Sequence, residues 1–302
     1  MELRIEIKDR IVETALSHRE QFTGSDSSFA KTLGINQAVF NRLKNGEREG
    51  LLKDSKWLEL AEKYDISLTK KQWNIVKTDV FKTILEDVQN CQRLGISLMF
   101  ADECEIGKTT TLKWISRNVK NAIYVDCSQA RTKTKFLRTF AQAVGVDPQG
   151  KISELASLIK RQLCLLSASH SVVVLLDEAG DIDTNTRIEC KGIWNYCDEM
   201  GHVGWYAAGA DSLEHNISRG IANKKLGMRE WFSRFGSRYN KIVPPGKEEK
   251  ELFYKKLISD VLKGNIQNKD QIGTWTNKAI KSDLVNHYGG LRRAKYTVLL
   301  NQ

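Results

Sequence analysis

From Thr78 onward, short apolar runs rich in β-branched residues alternate with stretches of helical spacing, and this alternation constrains the fold more than any other feature. The runs are 96–101, 122–126, 172–176, 203–208 and 241–243, and helices are predicted to begin near Thr109, Lys133, Ser153, Arg187 and Leu213. Runs this apolar have no polar side to turn toward water. They predict a parallel sheet covered by helices on both faces, an α/β fold. After Pro244-Pro245 the β pattern stops, and 247–263, 271–288 and 291–300 read as helices.

The N-terminal part has another character. Residues 1–66 read as a separate all-α domain, joined by a connector at 67–77 to an α/β core at 78–245 and a helical segment at 246–302. Ile5, Ile7, Ile11, Val12, Ala15 and Leu16 recur at helical spacing, Ser27 or Ser28 suits the N-cap of a second helix, and Trp57, Leu60, Ala61 and Tyr64 mark a later one. Within it, 29–46 fits a helix-turn-helix. Ala30 is small where two helices would cross, Gly34 allows a left-handed turn, and Leu33, Ile35, Phe40 and Leu43 would fill the core. Asn36, Gln37, Asn41, Arg42 and Lys44 would then face outward, with donors suited to the base edges and phosphates of double-stranded DNA. The same small fold also serves protein–protein contacts.

Charge agrees with a polyanionic partner: 47 Lys and Arg against 37 Asp and Glu give a net +10. No apolar stretch approaches the ~20 residues that span a bilayer, and the N-terminus lacks the apolar centre of a secretory signal, so a cytoplasmic protein without a membrane partner is expected. The six cysteines are scattered, with no CxxC pair and no zinc-ligand spacing.

The densest local chemistry lies at 96–110. An apolar run leads through a loop into Gly107-Lys108-Thr109 at a helix start. There Ile106, Gly107, Lys108, Thr109 and Thr110 would cradle the phosphates of ATP, Lys108 would reach the β and γ groups, and Thr109 would ligate Mg²⁺. The loop departs from G-x-x-x-x-G-K-[ST]: Asp102 stands where the first Gly belongs, and Glu103 and Glu105 add charge. Carboxylates there repel a triphosphate unless they point outward or meet a cation. Further on, 172–176 is an apolar run ending in Asp177-Glu178, expected to lie beside the phosphate-loop strand. Asp177 would hold the metal's water shell and Glu178 would orient the attacking water.

With both halves of the site in place, the chain resembles the AAA+ superfamily, and within it the DNA-transposition ATPases typified by the phage Mu B protein, over nearly its whole length. The resemblance implies an AAA+ P-loop ATPase with a parallel sheet between helices, 246–302 as a small helical lid, and an N-terminal helix-turn-helix domain. It implies that Arg234, or failing that Arg238, is an arginine finger for a neighbouring subunit, and that Arg292, after Tyr288-Gly289-Gly290, senses the γ-phosphate. Where that family usually has a polar sensor after the fourth strand, this chain has Ala210 followed by Asp211. Arg131, Lys133 and Lys135, joined by Arg187, would meet duplex phosphates without reading sequence. It further implies slow ATP hydrolysis stimulated by DNA and assembly, a homo-oligomeric filament or ring, and a DDE transposase as partner. Two other readings fit the residues: a transcriptional or signalling NTPase whose helix-turn-helix reads an operator, and an adaptor whose acidic phosphate loop has weakened its ATP site.

Overall fold

The computed structural model describes residues 3–64, 66, 68, 73–282 and 287–301. Residues 67 and 69–72 of the expected connector, and 283–286 of the expected helix at 271–288, lie outside the described residues.

Four helices come first: α1 (Ile5–Gln21), α2 (Asp26–Thr32), α3 (Gln37–Lys44) and α4 (Asp54–Lys63). They close on their own core of Ile11, Phe29, Ala30, Leu33, Phe40, Leu43 and Trp57. Gly34 takes the left-handed conformation (φ +64°) between α2 and α3, as the turn requires. The N-cap of α2 is Ser25, whose hydroxyl accepts from the Ser28 amide at 3.2 Å, not Ser27 or Ser28. The helix thus starts two or three residues earlier than expected, with Asp26 beside the positive end of its dipole.

The second part runs α5 (Asp79–Leu94), β1 (Ser97–Ala101), α6 (Lys108–Asn118), β2 (Ala122–Asp126), α7 (Lys133–Val144), α8 (Ile152–Ser167), β3 (Val172–Asp177), α9 (Thr184–Met200), β4 (Val203–Gly209), α10 (Asp211–Ala222) and α11 (Met228–Arg234). The strands form one parallel sheet in the order β1-β4-β3-β2. Both faces are covered, as the apolar runs demanded: one cluster of buried side chains packs α7 to α11 against the sheet, and a second packs α5 and α6 on the other side.

Two expectations are corrected. The strand ending in Asp177-Glu178 does not neighbour β1, because β4 inserts between them. The run at 241–243 forms no strand; only Asn240 pairs, in a single bridge to Phe100 on the outer edge of β1. The reason is local. The Ile242 and Val243 amides donate to Asp102 Oδ2 at 2.6 and 3.0 Å, so they are taken from any ladder.

The chain ends in α12 (Lys247–Lys263), α13 (Ile272–Ile280) and α14 (Leu291–Asn301). α13 stops eight residues short of the expected end at Tyr288, and the Ile280 carbonyl accepts from the Gly289 amide at 3.0 Å. Tyr254, Leu257, Ile258, Trp275 and Ala294 of these helices share one core with α5 and α6. The N-terminal helices dock against α6 and the turn before β2. Thr23 Oγ1 donates to Asn121 Oδ1 at 2.8 Å, and Arg117 to the Lys63 carbonyl at 3.1 Å. Between them lies a cavity of about 380 Å³ lined by His18, Phe29, Tyr64, Arg117 and Tyr124. Burial, with Arg117 and Lys63 nearby, holds the His18 pKa down to about 4. Among the described residues no helix is long and apolar enough to cross a membrane.

Candidate functional site

The site forms at the ends of β1 and β3. β1 stops at Ala101, and Gly107 (φ +104°) turns the loop into α6, whose first residue is Lys108. Lys108 is only 7% exposed, and its Nζ donates to the Asp102 carbonyl at 2.8 Å and to the Glu103 carbonyl. Burial lowers its pKa, against the charges of Asp102 and Glu178. The Thr109 hydroxyl donates to Asp177 Oδ1 at 3.3 Å, which joins the two sequence motifs in space.

Asp177 ends β3 and is 2% exposed. Its Oδ1 also accepts from the Glu178 amide at 3.1 Å, and its Oδ2 from the Tyr124 hydroxyl at 2.7 Å. Burial raises its pKa, partly offset by those donors. Glu178 sits in left-handed backbone (φ +50°), and its carboxyl pKa is raised by burial and then by the charge of Asp177. A non-Gly residue held at positive φ costs free energy. One buried carboxylate within reach of one hydroxyl fits Mg²⁺, which fills its remaining positions with phosphate oxygens and water. The described residues contain no group of three or more His, Cys, Asp or Glu that could hold a metal ion.

The acidic loop is already satisfied. Asp102 takes the place of a glycine yet is 3% exposed, with Oδ1 on the Glu103 amide at 2.8 Å and Oδ2 on the Ile242 and Val243 amides. Glu103 pairs with Lys250 and accepts from the Tyr254 hydroxyl at 2.7 Å. Glu105 (φ +61°) lies 3.6 Å from an Arg292 nitrogen, and its carbonyl accepts from the Leu291 amide at 2.9 Å. Cys104 between them is an exposed free thiol.

The arginines at the end of α11 differ. Arg234 is half-buried, its guanidinium 4.6 Å from the centre of the Trp194 ring, whereas Arg238 is exposed. Ala210 caps α10 without a side-chain bond, and Asp211 is that helix's exposed first residue. On α3, Gln37 and Asn41 are exposed. Asn36 Oδ1 caps its own helix on the Val39 amide at 2.8 Å, Arg42 pairs with Glu47 at 2.7 Å, and Lys44 with Asp26 at 2.9 Å. At the start of α7, Arg131 pairs with Asp181 at 3.2 Å, Lys133 with Glu189 at 2.6 Å, and Lys135 is exposed. Arg187 does not join them: it is 6% exposed, and its guanidinium donates to the Gly180 carbonyl at 3.1 Å. It lies on the inward side of α9 and supports the turn after β3. Sequence reasoning missed Tyr124, Lys250 and Tyr254. Of the three, Tyr124 alone carried a signal, as a polar tip inside an apolar run.

Residues 103–217 match the family model described as AAA domain, a span that begins in the phosphate loop and ends in α10. The sequence matches no curated protein. Among solved structures, the chain is similar to the Orc1 protein of Aeropyrum pernix in complex with DNA, with a TM-score of 0.50 and 13% identity over 74% of this chain and 58% of that one. It is similar also to Cdc6p from Pyrobaculum aerophilum, with a TM-score of 0.53 and 14% identity over 80% and 64%. The chain thus spans less than two thirds of either protein. The fold is of the AAA+ type, a parallel sheet between helices with an AAA domain at 103–217 and an all-α N-terminal part.

Proposed function

We propose that this chain is an ATP-dependent DNA-binding ATPase that oligomerises on target duplex, largely without sequence preference, and recruits and stimulates a DDE transposase. The observation that carries the ATPase reading is the meeting of Lys108, Thr109, Asp177 and Glu178 at the ends of β1 and β3. In this reading Lys108 turns from the loop carbonyls to the β and γ phosphate oxygens, and the backbone of Ile106 to Thr110 faces the phosphates. Thr109 and Asp177 would hold Mg²⁺, which when bound supplies neutralisation of the phosphate charge. Glu178 orients the attacking water and, with its pKa raised, is suited to take a proton from it. Exposed Arg238 is the better finger for a neighbouring subunit, while Arg234 is held over the Trp194 ring. Arg292 must leave Glu105 to meet a γ-phosphate.

Sequence-independent DNA contact is assigned to Arg131, Lys133 and Lys135, and a second contact to Gln37, Asn41, Arg42 and Lys44 on α3, with Asn36 ordering that helix. A duplex partner gains support from the fold shared with an Orc1 protein whose structure contains DNA. The transposition role, the transposase and a cytoplasmic setting rest on the resemblance of the sequence motifs. The adaptor reading loses part of its motive, because Asp102 and Glu103 have partners outside the phosphate path, while Glu105 is paired with Arg292 itself.

The test is binding to random-sequence duplex with and without ATP and Mg²⁺, imaged by negative-stain electron microscopy. ATP-dependent filaments or rings on any sequence are expected. Discrete ATP-independent particles on one operator would overturn the proposal in favour of a transcriptional regulator.

A further inference from the structure

Nucleotide chemistry does not call for Glu103 or Glu105, yet both are tied to the C-terminal helices. Lys250 and Tyr254 lie four residues apart on α12 and so share one face. Both reach Glu103: Lys250 pairs with Oε1, and the Tyr254 hydroxyl donates to Oε2 at 2.7 Å. The Lys250 and Glu103 side chains are 16% and 21% exposed, so solvent screens this pair far less than an ordinary surface pair. Tyr254 is 1% exposed and packed in the core of α5, α6 and α12, so its hydroxyl has a fixed origin. The Glu103 carbonyl also accepts from Lys108 Nζ. One residue therefore touches both the C-terminal helix and the phosphate-binding lysine.

A second contact lies two residues on. The Leu291 amide donates to the Glu105 carbonyl at 2.9 Å, and Arg292 sits by the Glu105 carboxylate. Gly290 fits there only because it has no side chain: a Cβ would stand 2.4 Å from Glu105 Cβ and 2.8 Å from its carbonyl oxygen. The loop is thus gripped from α12 at Glu103 and from the start of α14 at Glu105.

We infer that Lys250 and Tyr254 are positioning residues for the nucleotide site, acting through Glu103 as a clasp that holds the phosphate loop to α12 and slows nucleotide release. This rests on the reading of 102–109 as a nucleotide site. The clasp explains why an acidic loop is compatible with a phosphate site. Its negative charges are spent on fixing the loop's shape, and the α12 contact is where movement of the C-terminal helices would reach Lys108.

The full-length protein is compared with Lys250→Met, with Tyr254→Phe, which keeps the ring in the core, and with the exchanged pair Glu103→Lys/Lys250→Glu. Amide hydrogen exchange of 103–107, measured without nucleotide, reads the clasp itself. Each single variant is expected to speed that exchange about tenfold, the scale of one charge-assisted hydrogen bond, with the exchanged pair closer to the unaltered protein. Release of N-methylanthraniloyl-ADP, followed by fluorescence, reads the consequence and is expected to speed up by a similar factor. Unchanged exchange in both single variants would overturn the clasp. Faster exchange with unchanged release would overturn its role at the site. Faster exchange in a protein that binds no fluorescent nucleotide even unaltered would remove the nucleotide reading and the positioning role with it, while leaving the contact in place.

Discussion

Substituting Tyr124 by Phe removes one hydrogen bond, 2.7 Å long, from the carboxylate that ends β3. Asp177 is 2% exposed, and a hydrogen bond to a charged group in such a place contributes ~1.5–3 kcal/mol. Tyr124 also lines the cavity between the N-terminal helices and the sheet, so water can enter and restore part of that. The lower end, ~1.5 kcal/mol, is therefore the better figure, and it corresponds to about tenfold in an equilibrium constant. The carboxylate must be ionised to hold a divalent cation. Burial already raises its pKa, the phenol lowers it, and removing the phenol raises it further. Two shifts follow: the Mg²⁺ concentration for half-maximal ATP hydrolysis rises about tenfold, and the acid limb of the rate–pH profile moves to higher pH. Steady-state hydrolysis titrated with Mg²⁺ across that limb measures both. If the Tyr124→Phe protein kept the same Mg²⁺ requirement and the same limb, the phenol would have no part in setting Asp177.

Lys108→Ala is expected to abolish ATP-dependent assembly on DNA while α1 to α4, with their separate core, stay folded by circular dichroism; assembly at the usual level would take ATP out of the mechanism. Glu178→Gln keeps the shape and loses the proton acceptor, so it should bind ATP normally and accumulate the assembled form in sedimentation, unless another group orients the water. Arg238→Ala should remove the rise of specific ATPase activity with protein concentration, whereas Arg234→Ala should chiefly lower thermal stability through loss of its Trp194 stack, worth ~0.5–2 kcal/mol. The reverse pattern would return the finger to Arg234.

The four strands were legible because burial on both faces leaves an unbroken apolar run, and a helix rarely needs one so short. The fifth run was not, since the carboxylate of Asp102, far away in sequence, claims the amides of Ile242 and Val243. Strand order was also hidden: periodicity says that β3 and β4 exist but not that β4 lies between β1 and β3. At the site, Lys108, Thr109, Asp177 and Glu178 could be found because their spacing to a strand end is local. Tyr124, Lys250 and Tyr254 act across the fold, and nothing beside them in sequence names their partners. Arg187 misled for the same reason: charge predicts a surface position, while the inward side of α9 and the Gly180 carbonyl decide otherwise.

β2 is five residues long, and it is moored just before its start and at its middle. Just before it, Asn121, in left-handed backbone at φ +57°, holds Thr23 of the N-terminal helices; within it, Tyr124 holds Asp177. An extended strand yields little along its axis, since its backbone is already near full reach. If the N-terminal helices grip DNA as proposed, tension on them would be delivered at Asn121 and felt three residues later at the carboxylate beside Thr109. On the proposed reading, β2 is a short tie rod between the DNA-binding helices and the nucleotide site. Pulling on a single molecule by its N-terminus while timing nucleotide dwell would read it, and a dwell indifferent to force would show the rod to be slack.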